Sequence, residues 1–130
     1  MKNTYKIFIL LAGLFLLASC KPSDKYAGDW YAVTHNGEEF MVTFSKDKTM
    51  KVTGEDTEEL HEMKQTATGI FNGIRYFRVK IENENYYVIF DDSKDEENAK
   101  FFLQTNTTSD FEDVVGDVIF MMNRNDYPSY

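Results

Sequence analysis

The sequence predicts an all-β domain, an antiparallel up-and-down barrel of eight strands. Three observations carry this. From Asp29 onward, apolar and aromatic residues recur in short alternating or dense runs; turn-forming residues interrupt those runs roughly every eight to twelve positions; and no interval between runs leaves room for a crossover helix. Closing such a meander on itself leaves no exposed edge, so a barrel is expected rather than an open sheet.

The strands follow in order. Asp29 to His35 sets Trp30, Ala32 and Thr34 on one side and Tyr31, Val33 and His35 on the other, and Asn36-Gly37 after it is a hairpin signal because both residues tolerate the positive φ of a type I′ turn. Glu39 to Ser45 carries Phe40, Val42 and Phe44 on one face, and Lys46-Asp47-Lys48 turns it into Thr49 to Thr53, with Met50 and Val52 inward. Gly54 to Glu59 is an acidic connection. Leu60 to Phe71 is ambiguous, since Leu60, Met63 and Lys64 also fit a helical turn; a strand is expected from about His61. Asn72-Gly73 is the clearest hairpin turn, and Ile74 to Glu82 alternates Phe77, Val79 and Ile81 with Tyr76, Arg78 and Lys80. Asn83 to Asn85 turns into Tyr86 to Asp91. A charged loop, Ser93 to Asn98, leads to Ala99 to Thr105, with Phe101 and Leu103 on one face. After Asn106 to Asp110, the last strand, Val114 to Arg124, is apolar on both faces, so its outer face is expected to lie under a loop or partner.

The first twenty residues give an address. Met1 to Lys6 is a short basic start, Ile7 to Ala18 is an apolar run broken only by Gly13, and Leu17-Ala18-Ser19-Cys20 closes it. Twelve residues fall short of the roughly 20 that span a bilayer. The segment resembles a bacterial lipoprotein signal peptide. The resemblance implies cleavage of residues 1–19, a covalent lipid on Cys20, and, by the Lys21 that follows, delivery to the outer membrane. Residues 20–27 then form a short tether and 28–130 the domain. No other cofactor is expected.

Charge and cysteine content narrow the partners. Removing Lys2 and Lys6 from 14 basic residues leaves 12 against 22 acidic ones, a formal charge of −10. Such a surface repels the phosphates of nucleic acid and the headgroups of an anionic membrane, so attachment to the bilayer falls to the acyl chains, each buried methylene contributing about 0.8 kcal/mol. Cys20 is the only cysteine, so no disulfide supports the fold.

Gly28-Asp29-Trp30 on the first strand is similar to the Gly-x-Trp signature of lipocalins and other calycin barrels, and Arg124 at the end of the last strand sits where that family places an arginine. The resemblance implies that Arg124 packs across Trp30 and closes the floor of a lipocalin-like barrel. The family's middle Thr-Asp-Tyr motif has no counterpart, and only Asn125 to Tyr130 follow Arg124, too few for its C-terminal helix.

A hollow barrel of this kind places Phe40, Phe44, Phe77, Tyr87, Phe101 and Met121 around a small apolar ligand, methionine giving the wall some adaptability. A filled barrel makes the same side chains plain core. Asp91 to Glu97 spaces carboxylates as calcium loops do, yet Glu96 and Phe102 stand where an EF-hand needs glycine and glutamate. His35, His61 and Met63 are soft enough for copper but lack ligand spacing, so no metal is expected. There is no Gly-x-Ser-x-Gly elbow and no free thiol beyond Cys20, so no enzyme is expected. Two functions remain: an envelope lipoprotein holding a small apolar ligand, or an acidic interaction or inhibitor protein that meets a basic envelope protein.

Overall fold

A computed structural model describes residues 22–130, so Cys20 and the expected signal peptide at 1–19 lie outside the described residues. Nine strands form one antiparallel sheet: β1 Gly28–Val33, β2 Glu39–Ser45, β3 Thr49–Thr53, β4 Glu58–Glu62, β5 Lys64–Phe71, β6 Ile74–Ile81, β7 Glu84–Phe90, β8 Asn98–Gln104 and β9 Gly116–Asn123. The spatial order is β4-β3-β2-β1-β9-β8-β7-β6-β5. The expected count of eight is corrected to nine, because the stretch Leu60 to Phe71 divides at Met63. Closure is corrected too: β4 and β5 are the two edges of the sheet, and no ladder joins them.

Those two edges are nevertheless consecutive in the chain, with Met63 alone between them. One residue cannot make a hairpin, whose shortest common loop has two. β4 and β5 are therefore one strand kinked at Met63, the first half paired to β3 and the second to β6. Met63 is buried, and its N–H donates to Lys48 O at 2.9 Å, which anchors the kink to the β2–β3 turn. The strand also starts earlier than expected, at Glu58. Glu58, Leu60 and Glu62 face outward, so the acidic residues meet solvent and cost the strand little.

The turns follow the residues that can take positive φ. Asn72 at +50° and Gly73 at +79° form the expected type I′ hairpin, and Glu82 at +50° with Asn83 at +67° forms another, one residue earlier than expected. At Asn36-Gly37 only Gly37 is positive, and its N–H donates to Thr34 O at 2.9 Å. That is a type I turn followed by a left-handed residue, not the type I′ expected.

One face of β1, β2, β3, β6, β7, β8 and β9 turns into a common core, which β4 and β5 join only through Met63 between them. Trp30, Val42, Phe44, Val79, Val88, Phe90, Phe101 and Met122 are almost wholly buried in it. Rings meet from strands that are not neighbours: Phe44 of β2 lies 5.9 Å from Phe101 of β8, and Trp30 of β1 lies 6.0 Å from Phe90 of β7. Such contacts require the sheet to curl strongly. The outer faces of β1 and β9 lie under the chain's own tail, where Tyr127 packs edge-on to Tyr31 of β1 at 5.0 Å and the Tyr130 hydroxyl donates to Val118 O of β9 at 3.3 Å. The outer faces of β6 and β7 are capped by a 3-10 turn, Phe111–Asp113, whose Phe111 stacks on Tyr76 at 4.1 Å.

Candidate functional site

Because the meander alternates direction, its connections gather at two ends. One end holds residues 22–27, the β2–β3 turn, Asn72-Gly73, the loop 91–97 and Arg124; the other holds the connections 34–38, 54–57, 82–83 and 105–115.

The first end has a built floor. Trp30 is fully buried, and its indole N–H donates to Tyr26 O at 2.8 Å. The Arg124 guanidinium carbon sits 3.9 Å from the centre of the Trp30 ring, which is cation–π distance. Its two terminal nitrogens donate to Asp29 O at 3.1 Å and Lys25 O at 3.2 Å, so the arginine ties the tail, the first strand and the segment before it together. Partial burial lowers the Arg124 pKa, while Asp29 and Glu96 oppose that by favouring the charge. Gly28 adopts φ +99°, and a Cβ there would come within 3.3 Å of the Arg124 guanidinium. The glycine leaves the room in which the cation lies.

Residues 22–27 are not a loose tether. Pro22 is buried, and the Ser23 N–H and Tyr26 hydroxyl both donate to Gln65 Oε1, at 3.1 and 2.8 Å. Burial pushes the Tyr26 phenol far above its ordinary pKa, which keeps it neutral and donating. Asp24 pairs with Lys46 at 2.8 Å and Lys25 pairs with Glu96.

At the other end an apolar cavity of about 170 Å3 enters the curl between β3, β6, β8 and β9, walled by Met50, Val52, Ile81, Phe101, Ile119 and Phe120. Glu59, His61, Glu82 and Tyr86 form its rim. Register explains this: Glu59 and His61 sit opposite the inward-facing Val52 and Met50, so two polar residues of β4 point into the curl. His61 lies between two carboxylates, Nε2 at 3.3 Å from Glu59 and Nδ1 at 3.5 Å from Glu82, and so bridges β4 to the β6–β7 turn across the gap that no ladder closes.

The residues expected to line a ligand divide three ways. Phe44, Phe77 and Phe101 are buried core, and Phe101 also walls the cavity. Phe40 packs on the core's rim, 5.8 Å from Phe120. Tyr87 and Met121 are corrections. Val88 pairs with Phe77 and Phe101 and so faces inward, which turns its neighbour Tyr87 outward, to be buried under Phe111 at 5.6 Å. Met122 pairs with Ala32 and Ala99 on the inner face, so Met121 also points out, toward Pro128 of the tail. The rim residues Glu59, His61 and Glu82 escape sequence reasoning because they surround the cavity only once the strand kinks at Met63.

In the loop 91–97 the carboxylates serve the backbone: Asp92 accepts from the Lys94 N–H at 2.9 Å, and Asp95 from the Glu97 N–H at 2.8 Å. His35 lies beside Tyr130, far along the sheet from His61. Among the described residues no group of three or more histidine, cysteine or acidic side chains converges as a metal site, and no helix is long and apolar enough to cross a membrane. Comparison with known proteins finds no matching family, no matching curated protein and no matching solved structure.

Proposed function

We propose that this chain is a non-enzymatic lipoprotein of the bacterial envelope, tethered through a lipid on Cys20, whose lipocalin-like barrel takes a small apolar ligand in its end cavity. The kinked strand joining β4 to β5 supports reading the curled sheet as a barrel, since the chain itself spans the seam. The cavity carries the ligand reading. Its inner walls are methionine, valine, isoleucine and phenylalanine, with Glu59, His61, Glu82 and Tyr86 at the open rim, and about 150 Å3 of apolar space accommodates a molecule the size of benzene. A cavity of about 170 Å3 therefore suits a single ring or a short acyl segment. It is too small for most lipids or pigments, which occupy about 300 Å3 or more.

The test is extraction of the purified protein with organic solvent, read by mass spectrometry, beside the variant Val52→Phe, which fills the cavity from its wall. A stoichiometric apolar molecule released by the native chain and lost from the variant supports the reading. Equal amounts from both, or none from either, refute it.

A second reading rests on charge. Every connection at the cavity end carries acid, with Glu38, Glu55, Asp56, Glu82, Asp110, Glu112 and Asp113, and none carries lysine or arginine. A basic protein partner meeting that end would associate faster for the opposite charge. Capture of such a partner that weakens steeply with salt and is lost in the double variant Glu55→Lys, Asp56→Lys is the outcome this reading expects.

A further inference from the structure

We infer that the end bearing residues 22–27 is a membrane-docking face, which lies on the headgroup surface of the bilayer and points the cavity end away from it. The inference rests on the lipid-anchor reading of Cys20 and adds to it an orientation.

The chain leaves the body almost at the lipid. A free tether between Cys20 and β1 would let the domain tumble above the membrane. Instead Pro22 is buried, Ser23 and Tyr26 hold Gln65, Asp24 and Lys25 are paired to Lys46 and Glu96, and Lys25 O accepts from Arg124. One residue, Lys21, separates Pro22 from Cys20, and the two steps of chain reach about 7 Å at full extension. Acyl chains on Cys20 therefore hold this end against the headgroups.

The same end has what a headgroup surface accepts. The tip of the β5–β6 hairpin is apolar around Asn72-Gly73: Ile70 is 56% exposed, and Phe71 and Ile74 are half-buried. The tip is tied to the neighbouring loop by the Ser93 N–H donating to Gly73 O at 2.9 Å. Every lysine and arginine found in a turn or loop of the described residues is here, namely Lys25, Lys46, Lys48, Lys94 and Arg124, with Arg75 at the base of the hairpin. The acid-only connections 34–38, 54–57 and 82–83 are at the opposite end, while the acidic turn Phe111–Asp113 folds back over the outer faces of β6 and β7. The loops here also carry Asp24, Asp47, Asp91, Asp92, Asp95, Glu96 and Glu97, so this end is less acidic than the cavity end rather than basic, and an anionic bilayer repels the cavity end more strongly within the Debye length of about 8 Å over which exposed charges act. Anchor, apolar tip and charge all favour the same attitude.

Fluorophores on the acylated full-length protein test this. With Cys20 acylated, Ile70→Cys and Thr57→Cys each supply one free thiol, at the hairpin tip and in the β3–β4 connection, for an environment-sensitive label. Both proteins are reconstituted into phosphatidylcholine vesicles with and without headgroup spin-labelled lipid. The label at position 70 is expected to shift to the blue and to be quenched about twofold or more, as for a group at the headgroup boundary, while the label at position 57 does neither. An acylated, vesicle-bound protein whose two labels respond alike, or in the reverse order, overturns the docking face alone. A protein with no acyl mass on Cys20 that stays out of the vesicle pellet overturns the anchor, and the docking face with it.

Discussion

The floor formed by Trp30 and Arg124 permits a quantitative test. Replacing Trp30 by leucine keeps an apolar side chain but removes the ring under the guanidinium and the N–H bonded to Tyr26 O. For a fully buried tryptophan, truncation to alanine costs about 3–5 kcal/mol, so leucine at this position should cost about 2–4 kcal/mol. Replacing Arg124 by alanine removes the cation–π contact, at about 0.5–2 kcal/mol, and two bonds to carbonyls that stay partly hydrated, for a total of about 2–3 kcal/mol. Only the ring contact is shared by the two substitutions. A double-mutant cycle should therefore return a coupling of about 0.5–2 kcal/mol, with the double variant less damaged than the two single losses added. The assay is urea denaturation of residues 21–130 followed by circular dichroism, since one variant lacks the only tryptophan of the chain. A coupling below about 0.3 kcal/mol would refute the floor as a unit and leave Arg124 as a surface tie between loops.

Further perturbations separate the other features. Gly116→Ala drives a Cβ into the backbone carbonyl of Leu103 on the paired strand, so β8 and β9 must part; a loss of about 2–4 kcal/mol in chemical denaturation is expected. Gly69→Ala meets the hydroxyl and ring edge of Tyr76, and moving that ring disturbs its stack on Phe111, so a loss of about 1–2 kcal/mol is expected in the same assay, smaller than at Gly116 because a side chain rather than backbone gives way. Phe111→Ala uncovers Tyr76 and Tyr87 on the outer face, and thermal melting should fall by roughly 5 °C for a loss of about 1 kcal/mol. Hydrogen bonds and ion pairs hold Asp24, Asp95 and Glu96 below their ordinary carboxylate pKa, chiefly through Lys46, Asn98 and Lys25 respectively. With folded values depressed, these ties are in force above the unfolded carboxylate range and are lost as pH falls through the lower folded values. Amide hydrogen exchange at residues 22–27 should accordingly speed up on acidification, corrected for intrinsic rates, before the core strands respond.

Much of the sheet is legible in the residues because burial on one side writes a period of two. Phe77, Val79 and Ile81 are buried as their alternation implies, and Asn72-Gly73 makes the turn it announces. The misreadings have local causes. Glu58 and Glu59 look like loop because acid is rare in strands, yet they lie in one, Glu58 facing solvent and Glu59 rimming the cavity. Tyr87 and Met121 are as apolar as any core residue, and only strand register shows them to be covered from outside, by Phe111 and by the C-terminal tail. The rim of the cavity is invisible in one dimension, since His61 and Glu82 are brought together by a kink and a turn rather than by spacing. Trp30 and Arg124 are near opposite ends of the chain, and their contact follows from the pairing of β1 with β9.

That pairing governs when the protein can mature. The last strand to be synthesised lies between the first strand and β8, and the Arg124 to Asp29 bond spans 95 positions of sequence. A nascent chain that stops short of β9 has both β1 and β8 with bare edges and an unroofed indole, so cooperative folding waits for translation to finish. Were the chain exported as proposed above, this delay, set by the topology itself, would help keep it unfolded until it had crossed.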